Sequence, residues 1–193
     1  MTLLFDKKLQ TGYFKTYSDK PDFELISLNQ THSDNILTYP HDDLSKEADG
    51  IIFDLNESII FAIKTADCMP IVLIGKNQGA FIHAGWRGVH NRICFNQKIR
   101  NIEPTYAFIG PSIQKNSFQV SADFRENFPN SQNFHENNGD LFFDLQKEIS
   151  MQLQETYNGI NIDNCAECTM QSKQYNSFRR DKTVKRNWNI FSI

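Results

Sequence analysis

Three side chains in this sequence could together hold a metal ion. They are His32 after Gln30-Thr31, Cys68 in Thr65-Ala66-Asp67-Cys68-Met69-Pro70, and His83 at the start of His83-Ala84-Gly85-Trp86-Arg87-Gly88. Two imidazoles and one thiolate can bind zinc and leave its fourth position open, which distinguishes a catalytic zinc site from a structural one. If the three side chains converge in the fold, we expect a metalloenzyme.

The same segments supply candidate catalytic and substrate-binding groups. Asp67 adjoins Cys68 and is a candidate proton carrier, and Cys68 and His83 are the other candidate catalytic residues. Arg87 lies in a glycine-flanked turn, and its guanidinium suits an anion such as phosphate, although a surface carboxylate explains it equally well. Arg179, in Arg179-Arg180-Asp181, is a second candidate for binding phosphate. The simpler interpretation of this segment is a charged surface turn. Asp49-Gly50 is more typical of a turn than of catalysis.

Each metal candidate also has a simpler interpretation. A lone histidine in a polar loop, such as His32, is typically solvated, and a free cysteine such as Cys68 often fills space in a core. Cys165 and Cys168 form a C-x-x-C pair near the C-terminal end, but no second ligand pair accompanies them. A structural zinc site needs both pairs, so we interpret Cys165 and Cys168 as structural residues.

Length and composition restrict the class of protein. A chain of 193 residues suits a single domain, residues 1–193. Its net charge of -3 favours neither nucleic acid nor a membrane surface as partner. No apolar run approaches the roughly 20 residues of a membrane-spanning helix, and the first residues lack a secretory pattern. We therefore expect a cytoplasmic monomer or homodimer with reduced thiols.

The elements that must position these residues are predicted to be strands followed by helices. Apolar, β-branched runs predict strands over 23–28, 50–53, 58–63, 70–75, 79–83 and 106–109. Because several runs are apolar on both faces, the sheet is expected to be covered on both sides. Helices are predicted over 89–99, after Ser121, and through 142–153, and residues 178–193 return as a last strand. The fold class is α/β with a mixed sheet.

Together these motifs resemble the YfiH-like laccase-domain family, whose bacterial members are described as polyphenol oxidases and as multifunctional purine nucleoside phosphorylases. The resemblance runs through Gln30-Thr31-His32, Ala48-Asp49-Gly50, the Cys68 and His83 segments, Gly110-Pro111-Ser112-Ile113 and Ser177-Phe178-Arg179-Arg180-Asp181. It implies an α/β sandwich of the cysteine-hydrolase-toxin type and a metal site at His32, Cys68 and His83, usually with zinc. It also implies phosphorolysis of adenosine, inosine, guanosine and methylthioadenosine, and deamination of adenosine.

The sequence departs from the family pattern in three places. An N-terminal Arg-x-Gly-Gly-Val-Ser segment is reduced to Thr11-Gly12-Tyr13-Phe14, and Ser33 replaces a glycine. Ser117-Phe118-Gln119-Val120 replaces a Cys-Tyr-Glu-Val segment, which removes a carboxylate. Because the N-terminal segment lies near the pocket of the family, reduced nucleoside activity or a non-catalytic role is one expectation.

Three catalytic functions remain open. Zinc-dependent phosphorolysis of a purine nucleoside, with Arg87 and Arg179 on the phosphate, is the favoured one. Copper is the alternative cofactor, because Cu²⁺ generally outcompetes zinc at such sites; five histidines are too few for a multicopper cluster, so laccase-like polyphenol oxidation is expected to be slow. The third is amide hydrolysis, as in a peptidoglycan-editing enzyme, with Cys68 as nucleophile and His83 as base.

Overall fold

The computed structural model describes every residue from Met1 to Ile193. Fourteen strands form in chain order: β1 Leu3–Lys8, β2 Tyr13–Tyr17, β3 Ile26–Ser27, β4 Ile36–Thr38, β5 Gly50–Asp54, β6 Ile60–Thr65, β7 Met69–Ile74, β8 Gln78–Ala84, β9 Tyr106–Ile109, β10 Gln119–Val120, β11 Phe134–Asn137, β12 Asp140–Phe143, β13 Asn161–Asn164 and β14 Asn187–Ser192. Four α-helices form: α1 Trp86–His90, α2 Gln97–Arg100, α3 Leu145–Thr156 and α4 Phe178–Asp181. None of them is long and apolar enough to cross a membrane.

The strands make two large sheets and one small one. A six-stranded sheet has the order β13-β9-β7-β8-β5-β4, and a five-stranded sheet has the order β1-β2-β14-β6-β3. A three-stranded sheet has the order β10-β12-β11. In the six-stranded sheet the two edge strands pair in parallel, β13 with β9 and β4 with β5, whereas the four inner strands β9, β7, β8 and β5 are antiparallel to one another. The mixed α/β class predicted from the sequence is confirmed.

The six-stranded sheet is the middle layer of the molecule. Alternate side chains of β7 divide between two cores, because neighbouring residues of a strand face opposite sides of the sheet. Ile71 and Leu73 pack in the core that α1 and α3 cover, and Val72 and Ile74 pack in the core shared with the five-stranded sheet. This second core is built on phenylalanine, with Phe14 and Phe108 in edge contact at 4.9 Å between ring centroids. The expectation of a sheet covered on both faces is confirmed.

Most predicted strands lie close to the observed ones, but the strand predicted over 23–28 is limited to Ile26–Ser27. The strand predicted over 178–193 is wrong in its first part, because Phe178–Asp181 form α4, capped by Ser177, and only Asn187–Ser192 are a strand.

The predicted helix over 89–99 is also wrong. That stretch holds the end of α1, a 3₁₀ turn over Ile93–Phe95 and α2. Arg92 has a φ of 57°, which a continuing right-handed helix excludes. The helix predicted after Ser121 is a 3₁₀ helix over Ala122–Asn127, and the predicted helix over 142–153 is α3, which begins only at Leu145.

Candidate active site

The two imidazoles and the thiol singled out by the sequence meet at one end of the six-stranded sheet. Since β7 and β8 are antiparallel, Met69 pairs with Ala84, which places Cys68 beside His83. A loop brings His32 to the same place, and the ligand atoms of all three lie within 4.8 Å of one another. Cys68 Sγ lies 3.9 Å from His32 Nε2. His83 is buried, Cys68 partly buried and His32 exposed. We call these three residues the metal triad, after the ion they could hold, and the triad opens to solvent on the His32 side.

A buried carboxylate holds two of the three members in place. Asp49 is fully buried and lies 2.7 Å from His83 Nδ1. The same carboxylate accepts hydrogen bonds from the backbone N–H groups of Thr31, His32 and Ser33 and from the Ser33 hydroxyl. These bonds hold His32 at a φ of 61°, a left-handed conformation that non-glycine residues rarely adopt. With Nδ1 donating to Asp49, the Nε2 atom of His83 is free to face the triad.

Asp49 is therefore the functional residue that the sequence analysis undervalued. The sequence predicted that Asp49 stabilises a turn, whereas in the structure its carboxylate contacts His83 of the metal triad. Burial favours its neutral form, but the hydrogen bonds from His83 and Ser33 outweigh burial and lower the pKa of Asp49 to about 2. A permanently charged carboxylate beneath a histidine ligand fixes the tautomer of the ring and raises its basicity.

The electrostatics of the triad favour a thiolate. Burial opposes ionisation of Cys68, but the positive charge of His83 and a hydrogen bond from His32 outweigh it and lower the pKa of Cys68 to about 6. Burial likewise opposes protonation of His83, while Cys68 and Asp49 raise the pKa of His83 to about 9. The metal-free site therefore holds a thiolate beside an imidazolium near neutral pH. Thiolate is the form of cysteine that binds metal and attacks electrophiles.

The donor set fits a single zinc ion. Zinc bonds of about 2.0 Å to nitrogen and about 2.3 Å to sulfur place tetrahedral ligand atoms about 3.3 to 3.6 Å apart. The separation of 3.9 Å between Cys68 Sγ and His32 Nε2 is within a few tenths of an ångström of that range. The ligand atoms of the triad lie as far as 4.8 Å apart, so the triad must contract by up to about 1 Å around the ion, and three donors leave one position open.

A glycine allows the triad to form. A Cβ atom on Gly85 would lie 2.9 Å from Cys68 Sγ and 3.3 Å from His32 Cδ2. Gly85 has a φ of -82° and a ψ of -179°, which any residue adopts. The glycine is therefore required by the close approach of the thiol, and its backbone conformation alone would tolerate a side chain.

His32 and Cys68 lie where two parts of a cleft meet, and His83 lines only the second part. The first, which we call the aromatic lobe, has a volume of about 400 Å³. Its apolar wall is formed by Trp86, Ile113, Phe118, Leu145 and Phe178, and its cations are Arg87, Arg179 and Lys182. The second, the polar lobe, also has a volume of about 400 Å³. Besides the triad and Phe178 it is lined by Gln30, Lys64, Thr65, Ala66, Val184 and Arg186.

Both arginines predicted to bind phosphate line the aromatic lobe. The exposed Arg87 has its guanidinium carbon 5.3 Å from the centre of the Trp86 ring. Arg179 donates from Nη1 to the Gln119 carbonyl at 2.7 Å and lies over the Phe118 ring at 5.3 Å. Neither Arg87 nor Arg179 belongs to any ion pair of the protein, so the alternative of a surface salt bridge for Arg87 is not observed.

Asp67 lines the same lobe, but its carboxylate bonds to the chain. It accepts hydrogen bonds from the hydroxyls of Thr169 and Ser177 at 2.8 and 3.0 Å and from the Arg179 backbone N–H at 2.7 Å. Its φ of 88° is a second left-handed conformation next to the triad. Asp67 therefore positions the segment that carries Arg179. The proton-carrying role predicted for Asp67 stays a prediction.

Arg180, beside Arg179 in sequence, has the opposite orientation. Its guanidinium donates to the carbonyls of Thr169, Met170, Ser172 and Tyr175 and pairs with Asp181. It thereby holds the loop before α4 in one shape. Of the two adjacent arginines, one faces the cleft and the other supports the cleft wall.

The remaining cysteines lie outside the triad. Cys94, Cys165 and Cys168 are buried and free. The Cys168 thiol lies 3.3 Å from the Ser117 hydroxyl, and the Cys165 sulfur accepts from the Glu167 backbone N–H at 3.5 Å. These contacts agree with the structural interpretation of the C-x-x-C pair.

Comparison with known proteins places the chain in a family. A family model described as "Multi-copper polyphenol oxidoreductase laccase" matches residues 14–192, which is nearly the whole chain. The chain belongs to this family. The resemblance drawn from the Cys68 and His83 segments is thus confirmed. The description of the family model refers to several copper ions, whereas the donors His32, Cys68 and His83 suffice for a single ion.

Relatives of this laccase-domain chain carry the name of an enzyme. A protein of Aquifex aeolicus named purine nucleoside phosphorylase is 36% identical over 163 residues, which cover 81% of this chain and 77% of that protein. A Rickettsia conorii protein named purine nucleoside phosphorylase RC0672 is 32% identical, over 95% of this chain and 80% of its own length. Purine nucleoside phosphorylase YfiH of Escherichia coli is 25% identical over 83% of this chain and 70% of its own.

Solved structures share the fold. The Neisseria meningitidis protein NMB0706 superposes with a TM-score of 0.77 at 24% identity and covers 88% of this chain and 74% of its own. The Bacillus licheniformis protein YfiH superposes with a TM-score of 0.75 at 20% identity, over 88% of this chain and 74% of its own. At these identities the likeness shows the fold, and the α/β class with mixed sheets is confirmed.

Proposed function

We propose that this laccase-domain protein is a zinc-dependent purine nucleoside phosphorylase that acts on adenosine, inosine, guanosine or methylthioadenosine. The observation that supports it most is the composition of the aromatic lobe. Aromatic rings, arginines without a carboxylate partner, and two of the three metal-ligand candidates, His32 and Cys68, face one cleft of nucleoside size. The names of relatives that share 36% and 32% of their aligned residues with this chain point to the same reaction.

Each part of the lobe suits one part of the substrates. The flat, polarisable faces of Trp86, Phe118 and Phe178 suit a purine ring. Arg87 and Arg179 carry fixed positive charge and can donate paired hydrogen bonds to phosphate oxygens. In phosphorolysis a phosphate oxygen bonds to C1′ of the ribose as the C1′–N9 bond breaks, and the electron pair of that bond leaves with the purine. Arginines that hold phosphate beside the developing ribosyl cation keep the attacking oxygen close to C1′ and correctly oriented.

His32, Cys68 and His83 would hold the zinc ion, with Asp49 fixing His83. A bound zinc ion supplies a Lewis acid and lowers the pKa of water in its open position toward neutrality. The same property would suit deamination of adenosine, which we propose as a minor activity, with Asp67, the one carboxylate that lines the aromatic lobe, as the candidate proton carrier.

The deciding experiment measures metal content and base release together. Protein purified without added metal is expected to hold about one zinc per chain, and to release adenine or hypoxanthine only when phosphate is present. Base release that does not require phosphate would contradict phosphorolysis. Inosine formed from adenosine without phosphate reports the deaminase activity separately.

A matched pair of variants then tests the phosphate assignment. Arg87→Ala should reduce phosphate-dependent base release by about 100-fold and leave nucleoside binding unchanged, because the guanidinium acts on the second substrate. Arg125→Ala removes an arginine that stacks on Phe134 away from the cleft and is the control. An equal loss in both variants would refute the assignment of Arg87.

One observation favours a second candidate, an amide hydrolase with Cys68 as nucleophile. The thiolate of Cys68 beside a protonated His83, itself oriented by Asp49, has the arrangement of a cysteine hydrolase. Cleavage of an amide substrate by protein whose metal has been removed with a chelator would support this candidate. Activity that vanishes with the metal and returns with zinc would exclude it.

A further inference from the structure

The polar lobe contains two cations that the proposed phosphorylase roles do not use. Lys64, at the end of β6, and Arg186, just before β14, both line it and both are partly buried. Neither belongs to any ion pair of the protein. The residues that line the polar lobe include no aspartate or glutamate. Two positive charges thus face one cavity without a counter-charge, in a chain whose net charge is -3.

Hydrogen bonds fix the main chain that carries Lys64 and one edge of the Arg186 guanidinium. The side chain of Gln30 makes two hydrogen bonds to the main chain of Lys64. Its Nε2 donates to the Lys64 carbonyl and its Oε1 accepts from the Lys64 N–H, each at 2.8 Å. Arg186 donates from Nη1 to the carbonyls of Thr183 and Lys185 at 3.1 and 2.9 Å. Its Nε and Nη2 atoms make no hydrogen bond within the protein.

Placing these charges together is unfavourable without an anion. Burial, followed by the proximity of Arg186 and Lys20, lowers the pKa of Lys64. Like charges that remain close in a cavity are typical of a site whose ligand supplies the opposite charge. A free guanidinium edge beside an ammonium group suits a tetrahedral oxyanion, since the arginine can bind two oxygens and the lysine a third.

We propose that the polar lobe is a second phosphate-group site, formed by Lys64 and Arg186 across the metal triad from Arg87 and Arg179. The phosphate group comes from one of two sources, inorganic phosphate or the 5′-phosphate of a purine nucleotide. The inference rests on the proposed function for the class of substrate. The site itself is tested by binding without turnover, so its failure and that of the phosphorylase proposal are distinguishable.

The chain provides a separate reporter for each lobe. It contains two tryptophans. Trp86 lines the aromatic lobe, and the Trp188 ring lies 5.9 Å from Lys64 Nζ beside the polar lobe. Their indole N–H signals, assigned with Trp86→Phe and Trp188→Phe, can be followed by nuclear magnetic resonance in zinc-loaded protein. The titrants are sodium phosphate at constant ionic strength, adenosine, and adenosine 5′-monophosphate.

We expect phosphate, adenosine 5′-monophosphate or both to shift the Trp188 signal. Lys64→Gln and Arg186→Gln should each weaken the binding that Trp188 reports by about tenfold, the effect of one charge-assisted hydrogen bond. Arg186→Lys should restore part of it. Lys185→Gln removes the same charge one residue away, outside the lobe, and should change the affinity less than about twofold.

The nucleotide titration distinguishes the two sources. If adenosine 5′-monophosphate binds more tightly than adenosine and Lys64→Gln removes the difference, the site holds the phosphate of a nucleotide. If the two bind alike and only inorganic phosphate weakens in Lys64→Gln, it holds free phosphate. The proposal is overturned if no phosphate compound shifts the Trp188 signal, or if Lys64→Gln and Arg186→Gln bind as Lys185→Gln does.

Discussion

Replacing Gly85 by alanine should reduce metal affinity without unfolding the protein. The new Cβ would lie 2.9 Å from Cys68 Sγ, whereas ordinary contacts begin near 3.4 Å. The sulfur must therefore retreat by about 0.5 Å, more than the roughly 0.2 Å that a zinc–ligand distance tolerates. The thiol can move by turning one side-chain torsion, and the backbone at Gly85 accepts alanine, so the fold is retained.

The expected loss of zinc affinity is about 10- to 100-fold, or about 1.4 to 2.8 kcal/mol, comparable to the loss of a supporting contact at other metal sites. Competition with a chromogenic chelator measures it, and circular dichroism of the metal-free protein checks the fold. Gly88→Ala is the matched control, because its Cβ would meet nothing closer than 3.6 Å and would lie within α1. Equal zinc affinity in the two variants would refute the close-approach argument.

Three further variants and treatments test the supports of the site. Asp49→Asn should weaken zinc binding by about 10- to 100-fold, measured by the same competition, because His83 loses its charged partner. Arg180→Ala should lower the free energy of unfolding by about 2 to 4 kcal/mol in urea, since four carbonyls each lose one donor, whereas Arg179→Ala should change it by less than 1 kcal/mol. In metal-free protein, iodoacetamide should alkylate Cys68 with a midpoint near pH 6 instead of 9, because the folded protein stabilises its thiolate.

Each of these has an internal check. A zinc affinity of Asp49→Asn equal to that of the unchanged protein would mean that the carboxylate only supports the loop. Equal stability of the Arg179 and Arg180 variants would contradict their opposite orientations. Bound zinc should suppress alkylation of Cys68, and buried Cys94, whose pKa is raised by burial to about 12, should resist it throughout.

The sequence predicted the strands that carry the chemistry because their patterns are local. The runs that became β7, β8 and β9 are apolar, β-branched and bounded by turn residues, and they lie within a residue or two of their predicted bounds. Met69-Pro70 after Cys68 likewise marked the entry to a strand. The convergence of His32 with Cys68 and His83 was expected from the family resemblance, since spacing along the chain does not encode it.

What the sequence did not predict depends on contacts between distant segments. Asp49 looks like a turn residue beside Gly50, and only the fold reveals that its carboxylate meets His83 and the His32 loop. The break in the predicted helix over 89–99 depends on Arg92, whose left-handed backbone has no marker such as glycine. Lys64 and Arg186 are 122 positions apart and become neighbours only because β14 pairs with β6.

The position of β14 ties completion of the cleft to synthesis of residues 187–192. This last strand is inserted between β2 and β6, so residues 13–17 must wait for residues 187–192 before their outer edge is paired. At about 5 to 20 residues per second on the ribosome, the N-terminal hairpin spends many seconds with that edge open. Such long-range pairing also slows folding itself. The cations Arg179 of α4 and Arg186 before β14 come into place with that strand, so a nascent chain contains His32, Cys68 and His83 long before it contains these two anion-binding candidates.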